Sequence, residues 1–339
     1  MLKKLLAITA VLLLCRAVQA ALPAVDNSLF NRLEKLAAPH GQAVGLAFID
    51  LKTGQELSIN GSQEFPAASV AKVPVMAAAF HLSDLGQVDL QKKIRFRNED
   101  KLGGSGVLQW LKGGTSYTIW NLVRMMIVLS DNTATRLVVN TLGLPTVNEY
   151  IKSLGLAETL IVDNTMLNEP PALNINKTSP LDLAHLLVKI YRAQGFTTQS
   201  KNEMLSFMRN QRYRWGIWRG VPPGTVVADK TGNVDGVLND VGIVYTKQGN
   251  YVLSVFTNGF KKQREARIFI NEVSRACYEE FTGETVSDPL PAKKKIVRKR
   301  YFTKKLVKRN HKHRITKYKP HKKTKVIKHT RPVRKKKID

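Results

Sequence analysis

Three short motifs carry residue types suited to nucleophilic chemistry on an acyl group. They occur in the order Ser69-Val70-Ala71-Lys72, Ser130-Asp131-Asn132 and Lys230-Thr231-Gly232. A serine hydroxyl is a poor nucleophile until a neighbouring base removes its proton. A helix starting at Ser69 puts Lys72 one turn along the same face, within reach of Ser69 Oγ. A lysine that is buried and crowded by another cation loses its proton readily enough to be that base. On this reading Ser130 relays a proton to a leaving nitrogen and Asn132 holds a substrate amide. Lys230 is the second cation, suited to a substrate carboxylate and to keeping Lys72 neutral. The backbone N–H groups of Ser69 and Asn233 are candidates for stabilising an oxyanion.

Singly, the motifs are weak. A Ser three residues before a Lys is expected about once by chance in a chain of this length, and Ser69 at a helix start would ordinarily be an N-cap. Lys-Thr-Gly occurs twice, at 52–54 and 230–232. The first copy follows a strand and precedes Ser69, where turn chemistry alone accounts for it. The second follows Val226-Val227-Ala228 on a strand and leads into another strand. The order and surroundings of the three together make the signal.

Positioning such a set requires elements of both kinds. Asn27 to Ala38 spaces Leu29, Phe30, Leu33 and Leu36 as an amphipathic helix, and Ala43 to Ile49 reads as a buried strand. Helices are expected over Ser69–Leu85, Ile119–Val128 and Leu181–Ala193, with a further one starting at Thr133. Strands follow at Val237–Thr246 and Tyr251–Thr257, then a last helix over Lys262–Phe281. Strands at both ends with helices between predict one sheet built from the two termini and packed against a helical middle, an α+β fold.

Flanking residues extend the pattern: Phe65-Pro66-Ala67 before Ser69, Met126-Ile127 before Ser130, Ala228-Asp229 before Lys230, Asn239-Asp240 after it, and Thr178-Ser179-Pro180 opening the late helix. With them, roughly residues 27–282 resemble the class A β-lactamase family, among the penicillin-recognising serine hydrolases. The resemblance implies a three-layer α/β/α fold of the β-lactamase/transpeptidase type, with an antiparallel sheet flanked by helices and an all-helical lobe. It also implies opening of a β-lactam ring through an acyl-enzyme on Ser69, by a monomer needing no metal or cofactor. The family's deacylating base is a Glu in a Glu-x-x-Leu-Asn loop. Here the stretch is Glu169-Pro170-Pro171-Ala172-Leu173-Asn174, one residue longer. The resemblance assigns Glu169 to activating the water, with Asp163 the competing acid, and assigns Asn174 and Thr231 to substrate binding beside Asn132, Lys230 and Asn233. A carboxylate displaced by an ångström costs about a hundredfold in rate. That leaves an alternative: a penicillin-binding D,D-peptidase relative acting on cell-wall peptides and deacylating poorly. A third reading is an inert hydrolase fold that binds the envelope.

The remaining features lie outside this core. Residues 1–20 read as a signal peptide: Lys3 and Lys4, an apolar run from Leu5 to Cys15 too short to span a bilayer, and Val18-Gln19-Ala20 for cleavage. Cys15 as a lipidated residue is disfavoured by the bulky Leu14, and export leaves Cys277 without a partner for a disulfide. The hydrolase domain is expected over 21–288. Of the formal net charge of +28, residues 293–339 carry +22 (23 Lys or Arg against Asp339), leaving +6 for the first 292. After Pro289-Leu290-Pro291, so little apolar surface predicts disorder over 289–339. The tail's expected partner is an anionic envelope surface, and export argues against nucleic acid. His40, His81 and His185 lack ligand spacing, His311 and His313 lack the further donors a metal needs, and Trp110 and Trp218 are expected as packing or rim residues.

Overall fold

Side chains that alternate between two buried faces explain why the strands read as unbroken apolar text. The computed structural model describes residues 27–163 and 175–287. Helix α1 (Asn27–Ala37) leads into β1 (Val44–Asp50) and β2 (Glu56–Ile59). Between them the first Lys-Thr-Gly copy forms a turn, in which the Asp50 carboxylate accepts from Lys52 N and Thr53 Oγ1 and Gly54 takes φ 79°. Near the other end come β7 (Val226–Val234), β8 (Val237–Tyr245) and β9 (Asn250–Thr257). The five strands form one antiparallel sheet in the order β2-β1-β9-β8-β7, as expected of a sheet built from both termini.

Ala47 and Ile49 of β1, Val241 and Ile243 of β8, and Val252 and Phe256 of β9 face one core; Leu46, Phe48, Val244, Leu253 and Val255 face another. The second core is closed by α1 and the C-terminal helix (Gln263–Thr282), which bury Leu29, Leu33, Phe269, Ile270 and Val273. On the first face lie the short strands β3 (Phe65–Pro66), β4 (Lys93–Arg95), β5 (Ser116–Thr118) and β6 (Lys177–Thr178) and helices α2 (Lys72–Asp84), α3 (Ile119–Val128), α4 (Asn132–Leu142), α5 (Leu144–Ser153), α6 (Pro180–Tyr191) and α7 (Thr198–Arg209). Cys277, a free thiol, is fully buried in the second core. The layers are therefore helix, sheet and helix.

Two features of the helical layer bear on the site. Helix α2 buries Val73 to Phe80 without a break and Leu82, so it runs through the middle of that layer with hardly a solvent face. The larger of these side chains, Val73, Val75, Met76, Phe80 and Leu82, contribute about 1.5–3 kcal/mol each by burial. Second, the expected helix from Ser69 begins differently: Ala68–Ala71 form a 3-10 turn and the α-helix starts at Lys72. Ser69 caps nothing, because Ala67 is the cap residue and makes no side-chain cap bond. Helices α5 and α7 were not anticipated, and α4 starts at Asn132 rather than Thr133, capped by Asp131. The late helix is capped as its sequence suggests, with Ser179 Oγ accepting from Asp182 N and Pro180 in its first turn.

Candidate active site

Lys72 leaves the first residue of α2 and is fully buried, so its ammonium must find partners inside. Its Nζ has four, all from the predicted set. Ser130 O and Asn132 Oδ1 stand at 2.7 Å; Ser69 Oγ and Ser130 Oγ stand at 3.1 Å. A neutral amine has two hydrogens and one lone pair. In the neutral form, with its two hydrogens given to the two carbonyl-type oxygens, the lone pair is left to accept from one of the two hydroxyls. Burial pushes Lys72 well below the ordinary lysine range; the Lys230 cation adds to the shift and Asp131 opposes it.

Lys230, also fully buried, approaches Ser130 from β7, donating to Ser130 Oγ at 3.1 Å and to Thr231 O at 2.7 Å. Burial lowers it to about 7, against the pull of Asp229 and Asp240. Ser130 Oγ is thus held between the two lysines. The backbone makes this possible only by taking up strain: Ser130 has φ 52° and Ala68, before Ser69, φ 45°, conformations that L-residues adopt at some cost.

Buried side chains outside the three motifs' predicted roles fix these turns. Asp131 Oδ1 accepts from Ala134 N to cap α4, while its Oδ2 accepts from Val107 N and Leu108 N, tying a glycine-rich lip to the site. Asn132 N donates to Ser105 O of the same lip, and Asn132 Nδ2 to Gly103 O. Asn239 Nδ2 on β8 donates to Pro66 O and Ala67 O, anchoring the chain just before Ser69. Gly232 lets β7 come close: a Cβ there would stand 3.1 Å from Ala67 O and 3.2 Å from Ser69 N.

A cavity of about 100 Å³ opens on this group, lined by Ser69, Ser105, Ser130, Tyr213, Trp215, Thr231 and Asn233. The structure therefore brings together Ser69, Lys72, Ser130, Asn132, Lys230, Thr231 and Asn233. Glu169 and Asn174 lie outside the described residues. Asp163 lines a different cavity, with Val139, Asn140 and Gly143. Trp110 stands on the surface, 80% exposed, and the guanidinium groups of Arg214 and Arg219 each lie over the Trp218 ring, at 5.4 and 5.5 Å. Ser105, Tyr213 and Trp215 were missed from the sequence, where none has a spacing that ties it to the three motifs. Among the described residues no cluster of metal-ligating side chains occurs. An arrangement with a buried lysine amine in contact with two serine hydroxyls and a second lysine beside them is fitted for acyl transfer.

Residues 28–281 match the model of the β-lactamase enzyme family. The chain belongs to that family. Its fold and family are those of β-lactamase-like serine hydrolases. Among solved structures, a β-lactamase from Sphaerobacter thermophilus is 30% identical, with a TM-score of 0.71 over 77% of this chain and 99% of that one. The penicillin G acyl-enzyme of the L158E mutant of PBP-A is 31% identical, with a TM-score of 0.70 over 76% and 98% of the two chains. An ancestral class A β-lactamase, at 24% identity and a TM-score of 0.69 over 74% and 99%, shares the fold. The three-layer α+β architecture expected from the sequence is the β-lactamase/transpeptidase fold.

Proposed function

We propose that this chain is a serine β-lactamase of the class A type, opening β-lactam rings through an acyl-enzyme on Ser69. The observation that carries the reading is the buried Lys72 amine, held by Ser130 O and Asn132 Oδ1 at 2.7 Å with its Nζ 3.1 Å from Ser69 Oγ. Lys72 takes the Ser69 proton as Oγ bonds to the ring carbonyl, and the oxyanion forms between the N–H groups of Ser69 and Asn233. The carbon–nitrogen bond then breaks. Ser130, in contact with both lysines, hands a proton to the leaving nitrogen. Lys230 and Thr231 receive the substrate carboxylate, while Asn132 and Asn174 hold its amide side chain. Glu169 activates the water that hydrolyses the acyl-enzyme. Residues 1–20 direct export, and the basic segment 293–339 retains the protein on an anionic envelope surface.

A second reading keeps every acylation step and loses the last. The loop carrying Glu169 is one residue longer than the family pattern, and a PBP-A structure is among those similar to this chain. With the carboxylate misplaced, the acyl-enzyme would persist and the protein would act as a penicillin-binding peptidase on cell-wall peptides. Either way Ser69 is the nucleophile. Ser69→Ala in the full chain abolishes covalent labelling by benzylpenicillin in mass spectra; a label that survives removes Ser69 from that role.

A further inference from the structure

Beside Lys230, two carboxyl groups meet inside the protein where water does not reach. Pairing of β7 with β8 sets Thr231 opposite Asp240 and Asp229 opposite Gly242, so Asp229 and Asp240 leave one face as diagonal neighbours. Gly242 makes the room, since a Cβ there would stand 2.8 Å from Asp229 Cβ. Asp229 is 4% exposed and Asp240 not at all. Asp229 Oδ2 accepts from Gln211 Nε2 at 3.0 Å, and Asp240 Oδ2 from the backbone N–H of Ile217 at 2.7 Å. The register and the burial together place the two carboxyls side by side on one closed face. Asp240 Oδ1 has no hydrogen-bond partner among the described residues. Carboxylate oxygens only accept, so a bond between two of them requires a proton, and adjacent buried anions do not both stay ionised.

We propose that Asp229 and Asp240 keep one proton between them and act as a single buried negative charge that holds Lys230 cationic. Burial raises both groups, Asp240 to about 7; Lys230 opposes it in each case, and Arg214 as well at Asp229. The charged groups in this neighbourhood are Lys230 on β7, Arg214 on the segment after α7, Lys72 at the start of α2, and Asp131 at the cap of α4. Charge then alternates inward: minus one on the acid pair, plus one on Lys230, zero on Lys72. The pair also clamps residues 211–217, through Gln211 and Ile217, and so sets the wall carrying Tyr213 and Trp215. Room for this clamp is tight, since a Cβ on Gly216 would lie 2.1 Å from Asp240 Oδ2.

The kinetic consequence rests on the acyl-transfer reading; the shared proton does not. Infrared difference spectra of the full chain with ¹³C-labelled aspartate, at neutral pH, are expected to show one protonated carboxyl band that shifts in D₂O. It disappears in Asp229→Asn and in Asp240→Asn, where the remaining carboxyl ionises. Absence of the band from the unsubstituted protein overturns the proposal. In benzylpenicillin labelling, each single variant retains one negative charge and the original alkaline limb of the pH–rate profile. The double variant Asp229→Asn/Asp240→Asn, checked for folding by circular dichroism, loses the charge, and the alkaline limb moves down by roughly one pH unit or more as Lys230 gives up its proton sooner. A folded double variant with an unmoved limb also overturns it. If the double variant does not fold, the infrared spectra and the single variants decide. If penicillin fails to label at all, the acyl-transfer reading falls and the band still tests the proton.

Discussion

At the scale of single residues, the protonation of two lysines decides what the site can do. Lys72 is a base only while neutral, and burial with the neighbouring Lys230 cation keeps it so well below the ordinary lysine range. Lys230 binds an anion only while charged, and its own value lies near 7. The rate of penicillin labelling is therefore expected to fall as pH rises above about 7, where Lys230 loses its charge. A rate that climbs steadily toward pH 10 would mean that Lys72 titrates as an ordinary lysine and would contradict this account. Loss of the base in Lys72→Ala lowers the labelling rate by about 10²–10⁴. The grouping of the motif residues was legible in the sequence because the roles proposed for them constrain residue type and spacing, and the structure brings them into contact. Gln211, Asp229 and Asp240 were not legible as a unit. Each lies in text that reads as ordinary loop or strand, and the contacts joining them exist only once β7, β8 and the segment after α7 are packed together.

At the scale of elements, the site depends on how closely β7 approaches the turn that carries Ser69. Asn239 fixes the turn from β8, and Gly232 leaves space for it. A methyl group at 232 meets Ala67 O and the Ala68 Cβ at 3.1 Å, closer than ordinary contact, with backbone rather than a flexible side chain on the other side. Gly232→Ala is expected to slow labelling roughly tenfold to a hundredfold by shifting Ser69 against its partners, while thermal unfolding moves by only a few degrees. Labelling at the original rate would show that the approach is not what positions Ser69. The sheet and the helices with long apolar faces were legible because their patterns are strong. Helix α5 buries only Val147, Tyr150 and Ile151, and α7 gathers Met204, Leu205, Phe207 and Met208 toward its C-terminal end. Their faces are too short to announce a helix before tertiary packing selects them. The 3-10 turn at Ser69 was equally hidden, since its residues are compatible with an α-helix and the strained φ of Ala68 is imposed by its surroundings.

At the scale of the whole chain, charge and chemistry are separated along the sequence. The family match ends at residue 281, and +22 of the +28 net charge falls within 293–339. Electrostatic retention predicts that the full chain partitions onto anionic vesicles at low salt and is released as salt rises, and that removing residues 289–339 abolishes the partitioning. Equal partitioning of the two forms would exclude the tail as the anchor. The central claim, turnover of a β-lactam through Ser69, is tested most directly by the intact mass of the protein followed over time after adding excess benzylpenicillin. The account predicts an adduct that forms and then disappears while hydrolysed penicillin accumulates. An adduct that forms and remains would contradict it and place the protein with the penicillin-binding peptidases.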